Sequence, residues 1–105
     1  SKWDVSNVKY MQGMFFQADQ FNCDLSGWNV GCVRCMGCMF TNATSFNCDL
    51  SKWDVGHVDF MGHMFANATS FNREFVKDWN YKHEAIKEGM FDYRQEFDNM
   101  ITIEM

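Results

Sequence analysis

The apolar positions of this chain fall in a fixed order, and the order returns every 25 residues. Val8, Met11, Met14, Phe15 and Ala18 form one stripe, which Val33, Met36, Met39, Phe40 and Ala43 repeat, and Val58, Met61, Met64, Phe65 and Ala68 repeat again. Steps of three, three, one and three put such residues on one face of a helix, so the spacing predicts a short helix in each unit. A polar corner follows each stripe, at Gln17 to Gln20, Asn42 to Ser45 and Asn67 to Ser70. Then comes the phrase Phe21-Asn22-Cys23-Asp24-Leu25, repeated from Phe46 to Leu50, which reads as extended chain. Segments of this kind stack about 4.8 Å apart as a parallel sheet, and identical positions then form columns. The expectation is an α/β fold: a short repeat solenoid of about four coils, each a short helix plus a short parallel strand. A unit of this length buries its apolar side only by stacking on its neighbours.

The units run 1–25, 26–50 and 51–75, with a divergent fourth from 76 to 105, together taken as a single domain. In the fourth, Phe75 is assigned to the position of Leu25 and Leu50. Trp79, Met90, Phe91 and Phe97 stand 26 rather than 25 beyond their counterparts, so the pattern places one inserted residue between Phe75 and Trp79. His83 to Asn99 is rich in helix formers, and Met100 to Met105 alternates as a last strand would. This unit is expected to be a degenerate capping repeat. Ser1 opens in mid-phrase, and the first coil is expected to present a bare edge through which the chain self-associates.

The columns carry polar residues with a logic of their own. Asn22, Asn47 and Asn72 make an amide column in which each side chain can bond its neighbours. Asp4, Asn29 and Asp54 alternate charge with neutrality, which avoids like-charge repulsion. Asp24, Asp49 and Glu74 stack carboxylates, which suits solvent or, as the sharper alternative, a bound cation.

Composition narrows the function classes. With 47% hydrophobic and 17% aromatic residues in 105, the chain has ample material for a core. A net charge of -5, with nine Lys and Arg scattered among 14 acids, argues against nucleic acid. The charge thickens toward the end, and no run is long and apolar enough to span a membrane. Five cysteines are an odd set for a disulfide framework, and mostly free thiols are expected.

The phrase Trp53-Asp54-Val55-x-x-Val58-x-x-Met61-x-x-Met64-Phe65-x-x-Ala68-x-x-Phe71-Asn72 resembles the 25-residue repeat of the BspA-like surface proteins, distant relations of the leucine-rich repeats. The likeness covers residues 1–75 closely and 76–99 weakly. It implies a right-handed leucine-rich-repeat-like solenoid and a non-catalytic role in adhesion or protein–protein contact, usually at a cell surface or outside the cell, with no catalytic residues. Cys23, Cys32, Cys35, Cys38 and Cys48 are departures from that pattern, as are Gly31 and Gly56 where Ser is usual, and the unpaired cysteines leave an intracellular setting open.

Candidate chemistry is sparse. Cys32, Cys35 and Cys38 lie one helical turn apart, with His57 and His63 at the equivalent positions of the next coil for Cys32 and Cys38; thiol and imidazole sets of this kind suit zinc. Against that, four convergent ligands are not evident, and Asn7, Tyr10, Gly13 and Phe60 occupy equivalent positions, as expected of freely varying surface. Cys23 and Cys48 share a column at a spacing a disulfide can bridge. Asn42-Ala43-Thr44 and Asn67-Ala68-Thr69 are formal glycosylation sequons, but Ala43 and Ala68 belong to the core stripe. No nucleophile elbow, phosphate loop or recurring His and carboxylate pair is present, so no enzyme and no cofactor is expected. The leading reading is a non-catalytic module that binds a protein or glycan partner. The alternatives are a structural building block assembling end to end through its first coil, and a Cys/His metal-binding module.

Overall fold

The computed structural model describes residues 3–92. The expected final strand, and the helix predicted beyond residue 92, lie outside them.

The backbone is not built from helix and strand. Among the described residues there is no helix of seven or more residues and no strand; the regular pieces are two four-residue 3-10 helices, Arg73–Val76 and Glu84–Lys87. The α/β solenoid of helix-plus-strand coils is therefore overturned. The rest of the described backbone is turns, isolated bridges and irregular segments.

Hydrogen bonds explain why the apolar stripe makes no helix. An α-helix sends successive N–H groups to carbonyls four residues back. Here Met14, Phe16 and Ala18 donate three residues back, to Met11, Gly13 and Phe15, closing consecutive tight turns. The N–H groups between them leave the unit: Met11, Gly13, Phe15 and Gln17 donate to the carbonyls of Cys35, Gly37, Met39 and Thr41. Met36, Cys38, Phe40 and Asn42 then donate to Phe60, Gly62, Met64 and Ala66. Every second donor thus serves the next unit, and the groups that would propagate a helix are already engaged.

The turns fix the backbone hand as well. Gly13, Cys38 and His63 have φ of 67°, 56° and 58°, and Gln17, Asn42 and Asn67 have 61°, 62° and 58°. These are third positions of the turns, where type II geometry demands positive φ. A left-handed residue at every fourth position is incompatible with a right-handed helix. The apolar spacing of three and four, read as helical, is the spacing of successive turn corners.

The segment read as extended makes no sheet either. Parallel pairing sits elsewhere, as isolated bridges from Tyr10 to Cys35 and from Cys35 to Phe60, inside the stretch expected to be helical. In the Phe-Asn-x-Asp-Leu segment the units are joined by side chains: Asn47 N–H donates to Asn22 Oδ1 and Asn72 N–H to Asn47 Oδ1, both at 2.9 Å. The amide column exists, but it works from side-chain carbonyl to backbone donor.

The core is a set of aromatic and methionine columns. Phe15, Phe40, Phe65 and Phe91 stack at centroid separations of 5.4, 5.5 and 5.4 Å. Phe21, Phe46 and Phe71 stack beside them at 5.7 and 5.8 Å. Within a unit the two columns close to about 4.2 Å, as for Phe40 and Phe46, in near-parallel offset contact. Met36, Met39, Met61 and Met64 belong to the same core and are fully buried. Thr41 is the one buried polar residue of the described core, and its hydroxyl donates to the His63 carbonyl.

The fourth unit also needs a correction. Trp28 and Trp53 donate their backbone N–H to Leu25 and Leu50, and Trp79 donates to Val76. Val76 is buried as the two leucines are, whereas Phe75 is half-buried at the margin of the core. The extra residue therefore enters before Val76, absorbed by the 3-10 turn that Asn72 caps by accepting from Glu74 N–H.

Candidate interaction surface

The stacked bridges that hold the units together also aim one column outward. Met11, Met36 and Met61 point into the core, so the residues just before them, Tyr10, Cys35 and Phe60, point away from it. Tyr10 is 64% exposed and Phe60 53%, with Cys35 half-buried between them. Phe60 does not simply hang in solvent. A Cβ placed on Gly37 or Gly62 would meet its ring at 2.5 or 2.4 Å, so the ring lies flat across the bare backbone of two glycines. Beside it opens a cleft of about 350 Å³ lined by Asp59, Phe60, His83, Ile86 and Glu88.

A charged column borders the aromatics. The N–H of Arg34 donates to Lys9 and that of Asp59 to Arg34, which sets Lys9, Arg34 and Asp59 in line. Asp59 receives Lys82 at 2.7 Å and Arg34 at 3.3 Å, and the Lys82 bond first, with Arg34 behind it, holds its carboxyl below the usual range. All of these side chains are well exposed, so the pairs are worth little to stability and remain open to exchange for a partner's charges.

The carboxylate column behaves as local capping. Asp24 and Asp49 accept from the backbone N–H of Ser26 and Ser51. The Ser51 N–H first and its hydroxyl second lower the Asp49 pKa, and the Ser26 hydroxyl first and its N–H second lower that of Asp24. Asp4 is lowered by Ser6 in the same way, and Asp54 by Asn80 first and Gly56 second. Glu74 is committed to Lys77 at 2.9 Å. In Asp24 and Asp49 the serine bonds fall on Oδ1, which serves its own turn.

The sequence candidates are dispersed. Cys32 is exposed, Cys38 sits in the left-handed backbone position, His57 Nδ1 lies 3.1 Å from the Gly31 carbonyl, and His63 Nδ1 lies 2.7 Å from that of Asp92. Among the described residues no three of His, Cys, Asp and Glu gather in a way that could hold a metal. Cys23 and Cys48 are free thiols, and Cys48 Sγ accepts from Leu25 N–H at 3.3 Å and contacts Asp24 Oδ1 at 3.5 Å. Burial pushes the Cys48 thiol up, with the neighbouring Asp24 carboxylate adding to it. In the sequons, Asn67 Nδ2 donates to Asn42 Oδ1 at 2.9 Å, and both residues occupy left-handed turn positions that Asn tolerates well. No helix among the described residues is long and apolar enough to cross a membrane.

Sequence reasoning passed over Tyr10 and Phe60 as variable surface. The signal that could have found them is large aromatics at a position the repeat leaves outside the core stripe.

Repetition on this scale, with an outward aromatic column, is the pattern of a repeat-type protein. Over residues 1–103 the sequence matches the family described as Mycoplasma protein of unknown function, DUF285, and the chain belongs to that family. The family is related to the BspA-like repeat proteins. No curated protein and no solved structure matches the chain.

Proposed function

We propose that this chain is a non-catalytic protein-interaction module, with BspA-like repeats, that works in adhesion at a cell surface. The observation that carries the reading is the Tyr10, Cys35 and Phe60 column: two large aromatics exposed in register, one resting on glycine backbone, beside a row of charges of both signs. Aromatic anchors ringed by exchangeable charge are the composition of protein interfaces, where such anchors supply most of the affinity. Family membership supports the surface setting.

The test is a double variant, Tyr10→Ser with Phe60→Ser, compared with the parent on arrays of purified extracellular proteins and of glycans. Binding to a protein target that is lost in the double variant, at an unchanged melting temperature, supports the reading. Binding to glycans alone, or binding indifferent to both substitutions, overturns it.

A further inference from the structure

The backbone ladder that joins the units is interrupted between the third and the fourth. The Lys9 carbonyl accepts from Arg34 N–H at 2.7 Å, and Met11 N–H donates to the Cys35 carbonyl at 2.9 Å. The Arg34 carbonyl and Met36 N–H repeat the pair with Asp59 and Phe60. The same two groups of the third unit are the Asp59 carbonyl and Met61 N–H, and among the described residues neither has a partner. The ladder resumes at His63, whose N–H reaches Gly89, and at Phe65, whose N–H reaches Met90.

The cause is a second slip of register. Cys38 reaches Gly62, 24 residues on, whereas His63 reaches Gly89, 26 residues on. The surplus is taken up before Gly89 by the 3-10 turn Glu84–Lys87, whose Ile86 N–H is spent on the His83 carbonyl. A tight turn does not lay its N–H and carbonyl groups along a neighbour as extended chain does. What remains is the cleft of about 350 Å³ lined by Asp59, Phe60, Met61, His83, Ile86 and Glu88. Met61 is buried, and a backbone donor and acceptor left open on one edge are a template for another chain.

The cleft also selects a side chain. Tyr10 is bridged to Cys35 and Cys35 to Phe60, so a residue bridged next to Phe60 stands against its ring. Asp59 is already paired with Lys82 and Arg34, but the Glu88 carboxylate, in the same cleft, has no ion pair among the described residues. An aromatic face and a carboxylate sharing one cleft suit a guanidinium. The chain makes the aromatic half of that contact itself, with Arg73 over the Phe91 ring at 4.2 Å.

We propose that the break docks an extended peptide segment of the protein partner, as one added bridge that carries an arginine. The N–H of the residue before the arginine donates to the Asp59 carbonyl, and the arginine's own carbonyl accepts Met61 N–H. Arg34 N–H and the Cys35 carbonyl take those places against the first unit. The guanidinium lies between the Phe60 ring and Glu88. This rests on the interaction reading of the Phe60 surface and names the kind of segment that surface takes.

The probe is an end-blocked heptapeptide of valine and threonine with a central arginine, titrated to millimolar concentration into the ¹⁵N-labelled chain. Its controls are the same peptide with a central glutamate, and one N-methylated at the residue before the arginine. In the free chain the Met61 amide should exchange faster than that of Met36, which is bonded to Phe60. The arginine peptide should shift the Met61 amide and slow its exchange. Both controls should bind about tenfold more weakly, as should the arginine peptide on a Glu88→Gln chain. Met61 exchange as slow as that of Met36 in the free chain overturns the proposal, because the edge is then already bonded. A Met61 signal indifferent to the arginine peptide, or moved equally by the glutamate one, overturns it as well. The interaction reading fails separately, on the array comparison, which depends on Tyr10 and Phe60 together and needs no change at Met61.

Discussion

The backbone N–H of Asn47 is bound at 2.9 Å by the side-chain carbonyl of Asn22, and Asn47 in turn binds Asn72 the same way. One residue type therefore does, through its side chain, what a sheet ladder does through the backbone, and it does so where the chain makes no sheet. The asparagine is positioned to accept from the unit ahead while its own N–H is held from behind.

Asn47→Ala should accordingly cost about 1 kcal/mol, the scale of losing a side-chain acceptor for a backbone donor. Asn47→Asp keeps an oxygen in place and should lose less. Urea unfolding of the two variants beside the parent decides it; equal losses would mean that packing, not acceptance, fixes the column.

The left-handed turn positions give a second prediction. Gly13 has φ of 67°, and nothing lies within 4 Å of where a Cβ would stand, so Gly13→Ala meets backbone strain alone and should cost about 1–2 kcal/mol. Cys38 holds the same position with φ of 56° and already bears that strain. Cys38→Gly should be neutral or mildly stabilising, because relief of the strain offsets the extra freedom glycine has when unfolded. Chemical denaturation reads both signs.

These two sites show what was legible in the sequence. The burial of Phe40, Phe46, Met39 and Met64 follows from side-chain spacing, whereas Met14, expected in the same core stripe, is 40% exposed. The backbone does not follow, because corners of consecutive turns and one face of a helix share the same three-to-four residue step. Gly13, Asn42, Asn67 and Gly89 were the available sign of positive φ, but Cys38 and His63 at equivalent places concealed it. Val76 was hidden for a related reason: Phe75 preserves the count of 25, and only the turn bond from Trp79 shows that the register has already slipped. The bond from Tyr81 OH to the Val76 carbonyl could not be read from spacing, since it depends on where a polar atom ends up.

Phe40 tests the core. It is fully buried and stacks on Phe15, Phe46 and Phe65 at 5.4, 4.2 and 5.5 Å. Phe40→Ala should cost about 3–5 kcal/mol from lost burial and the cavity left between two columns. Phe60→Ala, which removes an exposed ring, should cost far less. Thermal melts that rank the two the other way would place the core elsewhere.

Tyr81 supplies an alkaline limit. Burial, with the Glu84 carboxylate behind it, pushes its phenol up to about 12 from the usual 10, and the hydroxyl donates to the Val76 carbonyl. Because the folded value is the higher one, the folded chain keeps a proton that the unfolded chain sheds. The associated stability is complete below pH 10 and is lost as pH rises toward 12. Tyr81→Phe should flatten that limb of a stability-against-pH curve while lowering the plateau, and a parent chain indifferent to pH between about 9 and 12 would refute the assignment.

The aspartates set the opposite limit. Asp4, Asp24, Asp49, Asp54 and Asp59 all have folded pKa values lowered from 3.8, for hydrogen-bond reasons: the serine hydroxyl and then the turn N–H on Asp4 and Asp24, the turn N–H and then the hydroxyl on Asp49, Asn80 on Asp54, and Lys82 on Asp59. A carboxyl with a depressed folded value takes up its proton more readily when unfolded. The stabilisation is thus fully present above about pH 4 and is lost as pH falls through the folded values. The melting temperature should be level from about pH 7 to 5 and drop below about 4. Ser26→Ala and Ser51→Ala should each raise the carboxyl titration of their own aspartate, read by ¹³C NMR, and together make the acid decline shallower. If both carboxyls titrate unchanged in those variants, the serine hydroxyls are not what holds them ionised, and the turn N–H groups alone account for their depressed values.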